Sequence, residues 1–307
     1  MSSRSVVVLV GVATAAVLAV SGCASSGGGT PAGGNSPSST AMTSGSTSMS
    51  SSAAPKSGAA KLVPASIASK GTLVFAMDAT YPPDESVASD GHTIVGFDAD
   101  LAKALAAALG LKADLKNVTF DDIIPGLQSG KYDVGLSSFT DNKTREKVVD
   151  FVTYFQAGEG FYVKAGSGKT FNGLASLCGH TVSVEKGTTE ETDANTQAKK
   201  CKVTVLSFAD QGQANLAVSS GRADVGFADS QVVGYIVKQS NGQFQETGEA
   251  FEVAPYGIAL PKGNGMAQAV LAALKQLMAD GTYKSLLTKW GVTDGGITNP
   301  VINGAQS

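Results

Sequence analysis

Ser137-Ser138 and Ala228-Asp229 close two near-copies of one phrase. The first reads SGKYDVGLSSFTD over residues 129–141, the second SGRADVGFADSQ over residues 220–231. Gly130 aligns with Gly221, Lys131 with Arg222, Asp133 with Asp224 and Val134 with Val225. The endings differ in chemistry: hydroxyls in one copy, a carboxylate in the other. In each copy a helix stops at Gly, a basic residue follows, and a short strand runs into the variable ending. Open α/β sheets bind ligands outside the carboxyl ends of their strands. The phrase therefore reads as shared scaffold, presenting a different polar group from each of two similar halves to one molecule. Helix–Gly–strand punctuation is common in α/β chains, so this reading stands only with the elements around it.

Other reactive side chains are few. The two histidines, His92 and His180, lie far apart and outside any metal-ligand spacing. No base–nucleophile pair stands out, so the chain is expected to hold no metal and no cofactor and to be no enzyme. Of the three cysteines, Cys178 and Cys201 fall in the body of a chain expected to be exported, where a disulfide is the favoured state. The formal charge of −3 leaves no basic footprint for nucleic acid.

The third cysteine belongs to the N-terminus. Arg4 is followed by an apolar run from Val6 to Val20 and then by Ser21-Gly22-Cys23. Residues 1–22 read as a secretory signal peptide, since the run is shorter than the roughly 20 residues of a membrane span. Small residues followed by Cys resemble the bacterial lipoprotein signal, which implies that Cys23 becomes the lipidated first residue of the mature protein. Residues 23–61 are mostly Ser, Gly, Thr, Ala and Pro. Such a segment buries too little apolar surface to order itself and reads as a tether reaching on the order of 35 Å. The expected location is the extracytoplasmic face of the cell membrane.

The body alternates strands and helices. Leu73–Met77 reads as a buried strand that must end before Pro82-Pro83, and Thr93–Phe97 as a second short strand. Asp98–Leu109 reads as a helix, with Asp98 and Asp100 as capping charges and Gly110 as its stop. Phe120–Ser129 is the helix before the first phrase. Beyond Gly160 come a strand at Thr181–Val184, the Gly187-Thr188-Thr189 turn, a polar helix at Thr189–Ala198, a strand at Val203–Ser207 and a helix at Asp210–Ser220. Helices at Met266–Ala279 and Thr282–Trp290 close the body. Asp133 and Asp224 read as scaffold. The alternation predicts an α/β fold with mostly parallel sheets.

Five stretches, in order, resemble the bacterial extracellular solute-binding proteins of family 3, the polar amino-acid type that serves ABC importers. They are GFDADLAKALAAAL (96–109), SSFTDNKTREKVVDF (137–151), SVEKGTTEE (183–191), SGRADVGFAD (220–229) and DGTYKSLLTKWG (280–291). The resemblance implies a two-lobed type II periplasmic-binding-protein fold, of Venus-flytrap form, with two crossover hinges near Ala157–Phe161 and Glu252–Tyr256. Residues 62–157 then form the first part of lobe 1, 158–254 lobe 2, 255–295 the return to lobe 1, and 296–307 a C-terminal tail. The chain departs from the family after Pro82-Pro83, where Asp84-Glu85-Ser86 replaces the usual aromatic.

The resemblance also implies a site. A free amino acid is a zwitterion, and burying it requires a fixed partner for each charge. Arg145 matches the residue that takes the α-carboxylate, by a planar fork that Lys cannot offer; read alone, it is a solvated helix charge beside Glu146. Thr140 and Thr189 match hydroxyl or amide contacts to the same carboxylate, and Thr188 is expected among the ligand-binding residues. Asp229 matches the acid that receives the α-ammonium, where Ser138 offers its backbone carbonyl, and Ser137 is expected among the ligand-binding residues. Tyr81 and Phe120 match the walls of the side-chain pocket. Asp78 and Glu185 are expected at its far end, where two carboxylates suit lysine or arginine. Glutamine or asparagine comes next, with Asp78 accepting an amide hydrogen and Glu185 paired with Lys186 or turned to solvent; glutamate comes last. The implied partners are a permease and its ATPase subunits, with the binding protein a monomer. Two alternatives stay open: an amino-acid sensor lipoprotein, and a fold-related enzyme such as a dehydratase.

Overall fold

A computed structural model describes residues 58–306. Cys23, the expected signal peptide and nearly all of the expected tether lie outside the described residues. After a short helical entry that ends in α1 (Ala65–Ala68), β1 (Thr72–Met77) carries the first apolar run. A hairpin-like sheet of β2 (Thr80–Tyr81), β3 (Glu85–Val87) and β4 (Ile94–Val95) follows around a cis Pro82-Pro83 bond. Then come α2 (Phe97–Ala108), β5 (Lys112–Asn117), α3 (Phe120–Gln128) and β6 (Val134–Gly135).

The second half of the site lies beyond a 16-residue strand, β7 (Val149–Lys164). It contains β8 (Thr181–Glu185), α4 (Thr189–Ala198), β9 (Thr204–Phe208), α5 (Gln211–Ser219), β10 (Val225–Asp229) and α6 (Ser230–Gln239). The 18-residue β11 (Phe244–Pro261) returns the chain to α7 (Met266–Ala279) and α8 (Thr282–Trp290).

The two long strands define the architecture. The main sheet runs β5-β1-β6-β11-β7-β10-β8-β9. β7 and β11 are antiparallel to each other along most of their length, while β5-β1-β6 and β10-β8-β9 pair parallel on either flank. The first half of β7 and the last half of β11 complete lobe 1; their other halves complete lobe 2. Register shifts between Thr247 and Phe251, Phe251 and Ala254, and Tyr256 and Gly257 fall where the strands pass between lobes. Both expected crossovers, Ala157–Phe161 and Glu252–Tyr256, lie within these strands rather than in loops. Residues 302 and 303 are tied to the body: Asn303 donates its backbone N–H to the Phe151 carbonyl, and Ile302 bridges Val152.

The repeated phrase acquires a physical meaning here. Gly130 and Gly221 both take left-handed backbone, with φ of +73° and +78°, a conformation that suits Gly after a helix. Asp133 then accepts from the Val74 N–H (3.1 Å) and the Lys70 ammonium (2.7 Å). Asp224 accepts from the Thr181 N–H (2.8 Å) and from Lys169. In each copy the Asp pins the neighbouring parallel strand, and the next two positions pass into the sheet as Val-Gly. A Cβ at Gly226 would meet the Tyr162 ring at 2.0 Å, so only Gly lets these strands close.

Among the described residues the buried apolar groups form three clusters, one in each lobe and a third that joins Phe120, Phe139 and Phe151 of lobe 1 to Tyr162, Val218 and Val232 of lobe 2. Leu73, Phe97, Leu101, Leu105, Ile258 and Leu274 are among the buried groups of the lobe 1 cluster, while Phe161, Val182, Val184 and Phe227 centre that of lobe 2. The Cys178–Cys201 disulfide is formed, across a separation of 23 residues, and ties the segment before β8 to the end of α4.

Candidate functional site

The two variable endings of the repeat face each other across the lobes. Tyr81, Phe120, Ser138, Thr140 and Arg145 of lobe 1 line one cavity with Glu185, Thr188, Thr189, Glu190, Gln211 and Asp229 of lobe 2. The lobes also touch around it. Thr140 and Thr189 hydroxyls lie 3.3 Å apart, Lys186 pairs with Asp121 at 2.7 Å, and the Gln211 N–H donates to the Thr80 hydroxyl at 3.3 Å.

Arg145 opens a 3-10 turn, Arg145–Lys147, whose first N–H donates to the Asn142 side chain. Its guanidinium donates to the carbonyls of Thr140 (2.9 Å) and, across the lobes, Gly187 (3.0 Å). It lies 5.4 and 5.3 Å from the ring centres of Phe120 and Phe139, in cation–π range. Two of its five N–H groups are thus spent on holding it, and the rest remain to receive a carboxylate. Thr188 is the N-cap of α4: its hydroxyl accepts from the Glu191 N–H (3.1 Å) and donates to the Glu185 carbonyl (2.8 Å). The cap consumes the hydroxyl that was expected on the ligand, whereas Thr189 keeps its own in the cavity.

Asp229 ends β10 beside Glu190 and the Tyr256 hydroxyl, and burial with the Glu190 charge nearby holds it well above the usual carboxylate range. Ser138, opposite, has φ +50°, left-handed for a residue with a side chain. The backbone is held there by buried carboxylates: the Ser138 N–H donates to Asp98 (3.0 Å) and its hydroxyl to Asp84 (2.9 Å).

At the other end sits Glu185, the last residue of β8, only 1% exposed. The Tyr81 hydroxyl and the Asp78 carboxyl lie beside it, but neither Glu185 oxygen, nor the Tyr81 hydroxyl, is set in hydrogen-bond geometry. Burial, and then the Asp78 charge, push Glu185 up to about 11. Lys186 is engaged with Asp121, so it does not neutralise this carboxyl. Asp78 stands one layer behind. It does not line the cavity, and its oxygens accept from the Thr80 hydroxyl (2.7 Å) and the Phe120 N–H (2.9 Å). Tyr81 and Phe120 meet edge to face at 5.9 Å, forming the wall.

Three further expectations need correction. Ser137 is fully buried and does not reach the cavity; its hydroxyl accepts from the Asp78 N–H (2.8 Å) and donates to Glu85 (2.7 Å), so it braces the strand end. Asp98 is no helix cap: Gly96 precedes α2 without a side-chain cap, and Asp98 accepts from Ser138 and the Tyr154 hydroxyl (2.6 Å). Asp100 pairs instead with Lys289 and the Trp290 indole N–H.

Glu190 and Gln211 line the cavity without having been read from the sequence. Glu190 lies within a polar helix start, TEETD, which looks solvated; in the fold it is 3% exposed, one oxygen unpartnered, with Arg145 near. The signal available was its place beside Thr189 in the first turn after the Gly-Thr-Thr turn. Among the described residues no group of His, Cys, Asp or Glu could hold a metal ion, and no helix is long and apolar enough to cross a membrane.

Comparison with known proteins agrees with this geometry. Residues 73–293 match the family model for bacterial extracellular solute-binding proteins, family 3. The arginine-binding protein ArgT of Corynebacterium glutamicum is 32% identical over 249 residues, spanning 79% of this chain and 81% of that one. The ABC transporter glutamine-binding protein GlnH of Bacillus subtilis is 37% identical over 203 residues, 64% of this chain and 72% of that one. Among solved structures, an ancestral arginine-binding protein, seen bound to arginine and also to glutamine, superposes with a TM-score of 0.68 at 39% identity, covering 72% of this chain and 98% of its own. The matched family spans nearly the whole folded body, both lobes and both long strands, and the chain is a member of the bacterial extracellular solute-binding proteins, family 3.

Proposed function

We propose that this protein is the substrate-binding component of an ABC importer, and that it captures a free L-amino acid with a cationic side chain, arginine first and lysine next. Arg145, Thr140 and Thr189 take the α-carboxylate; Asp229 and the Ser138 carbonyl take the α-ammonium; the side chain runs along Tyr81 and Phe120 toward Glu185. The observation that carries the substrate is Glu185. A carboxyl that is buried with both oxygens unpartnered is costly to leave so, and a guanidinium is the group that satisfies two oxygens at once. The names of ArgT and of the arginine-bound ancestral protein support that choice.

Glutamine is the second reading. A protonated Glu185 can donate to a side-chain amide carbonyl, and both GlnH and the glutamine-bound ancestral protein favour it. The binding proteins among its relatives, and a site without a base–nucleophile pair, support binding without turnover. The lipid anchor at Cys23, the tether and the monomeric state belong to the same proposal: Cys23→Ser is expected to release the protein from membranes or leave it unprocessed. Calorimetric titration with arginine, lysine, glutamine and glutamate tests the substrate. Arginine is expected to bind tightest; glutamate binding tightly with no response to arginine or lysine would reverse the assignment.

A further inference from the structure

Asp84 stands where three structural elements meet. It is 1% exposed, at the head of β3, in a stretch of lobe 1 with two other buried acids, Glu85 and Asp98. One oxygen, Oδ2, does two things. It accepts from the Ser138 hydroxyl at 2.9 Å, within its own lobe. It also accepts from the Gln231 side-chain amide at 2.8 Å, and Gln231 belongs to α6 of lobe 2. The same Gln231 nitrogen lies 2.6 Å from the Tyr256 hydroxyl on β11.

Gln231 sits two residues past Asp229, so the helix that carries it starts at the expected ammonium partner. Ser138, the other ammonium contact, is left-handed and owes its conformation to Asp98 and Asp84. A single carboxylate therefore fixes one side of the ammonium subsite and clasps the element that carries the other. The bond to Gln231 exists only when the lobes are together, whereas the bond to Ser138 needs lobe 1 alone.

We propose that Asp84 is a positioning residue that couples ammonium recognition to lobe closure, holding Ser138 within its own lobe and latching Gln231 of the opposite lobe. The coupling rests on the proposed placement of the ammonium at Ser138 and Asp229; the latch itself does not. Opening the lobes breaks a charge-assisted bond, and such a bond strengthens the closed state most where water is excluded. Its loss appears in the rate at which ligand leaves, because closure traps the ligand after it has bound.

The test uses the full folded body with Gln231→Leu, Asp84→Ala and Asp84→Asn. Arginine binding is followed by calorimetry and dissociation by stopped flow, while X-ray scattering reports lobe separation without ligand. Gln231→Leu is expected to speed dissociation about tenfold or more and to enlarge the ligand-free particle, while its thermal midpoint stays near that of the native chain. Asp84→Asn keeps an acceptor oxygen and is expected to dissociate more slowly than Asp84→Ala. Native dissociation rates in both Gln231→Leu and Asp84→Ala, with unchanged scattering, would overturn the proposal; should Asp84→Ala not fold, Gln231→Leu decides it. A native chain that binds no amino acid would overturn the proposed function instead, and the scattering comparison would still decide the latch.

Discussion

At the scale of residues, the site is a set of charges that each need a partner the protein withholds. Arg145 is held by two carbonyls and two aromatic rings, and Asp229 shares its surroundings with Glu190 and a tyrosine hydroxyl. Arg145→Ala or Asp229→Ala removes one fixed partner of a buried ligand charge, and each is expected to weaken binding by at least about 3 kcal/mol in calorimetry, with the ligand-free fold kept. Glu185 gives a prediction with a sign. Burial pushes it up to about 11, so without ligand it carries its proton at neutral pH. A guanidinium beside it favours the ionised form and lowers that value. Arginine binding should then release a proton and grow tighter as pH rises, with a measured enthalpy that changes between phosphate and Tris buffers. Glutamine should release less, since only the Asp229 end, shared by both ligands, then responds to a new positive charge. Arg145, Asp229 and Tyr81 were legible because the family motif names their positions. Asp84 was visible only as a departure, since nothing local in Pro-Pro-Asp-Glu reveals that the acid will meet a helix from the other half of the chain.

Among elements, the turn before α4 governs how closely the lobes meet. Gly187 has φ +84°, and a Cβ there would lie 2.9 Å from the Asp121 Cβ at the start of α3 in the other lobe. Gly187→Ala therefore combines a left-handed backbone cost of about 1 kcal/mol with a wedge in the cleft. It is expected to weaken ligand binding by more than it lowers the thermal midpoint of the ligand-free protein, as paired titration and melting would show. Helices were the most legible elements: Thr189–Ala198, Met266–Ala279 and Thr282–Trp290 stand where their start and stop signals put them. β4 falls inside the strand expected at Thr93–Phe97, but β2, β3 and α6 were not read. The strands of the β2–β4 sheet are two or three residues long, too short to show a period. The long strands hid for the opposite reason: β11 is mostly exposed over Gln245–Val253, apart from buried Thr247 and half-buried Phe251, and buried over Tyr256–Leu260, so it has no single pattern.

For the whole molecule, the buried acids set a pH dependence of stability. Burial raises Asp84 to about 6, Asp98 to about 8, Glu159 to about 10 and Glu185 to about 11. Each lies above its ordinary value of 3.8 or 4.5, so between the two values the folded state binds a proton that the unfolded chain has lost. Stability is then fullest below the ordinary values as far as these groups are concerned, and falls as pH rises through the raised ones. The ligand-free protein is expected to melt at a higher temperature at pH 5.5 than at pH 8, by differential scanning calorimetry, and saturating arginine should narrow that gap by satisfying Glu185.

The two strands that pass through both lobes also impose an order in time. A ribosome delivers β6 long before β11, its neighbour in the sheet, and lobe 1 stays one strand and two helices short until the chain is nearly finished. Lobe 2 lacks nothing once the first half of β11 has emerged, because β7, β8, β9 and β10 precede it and the disulfide partners are already present. The half that comes second in sequence is thus the first that can mature, while the unpaired edge of β6 waits for a partner. Released chains truncated just after residue 251 should accordingly yield a protease-resistant core drawn from lobe 2, with lobe 1 still open to digestion.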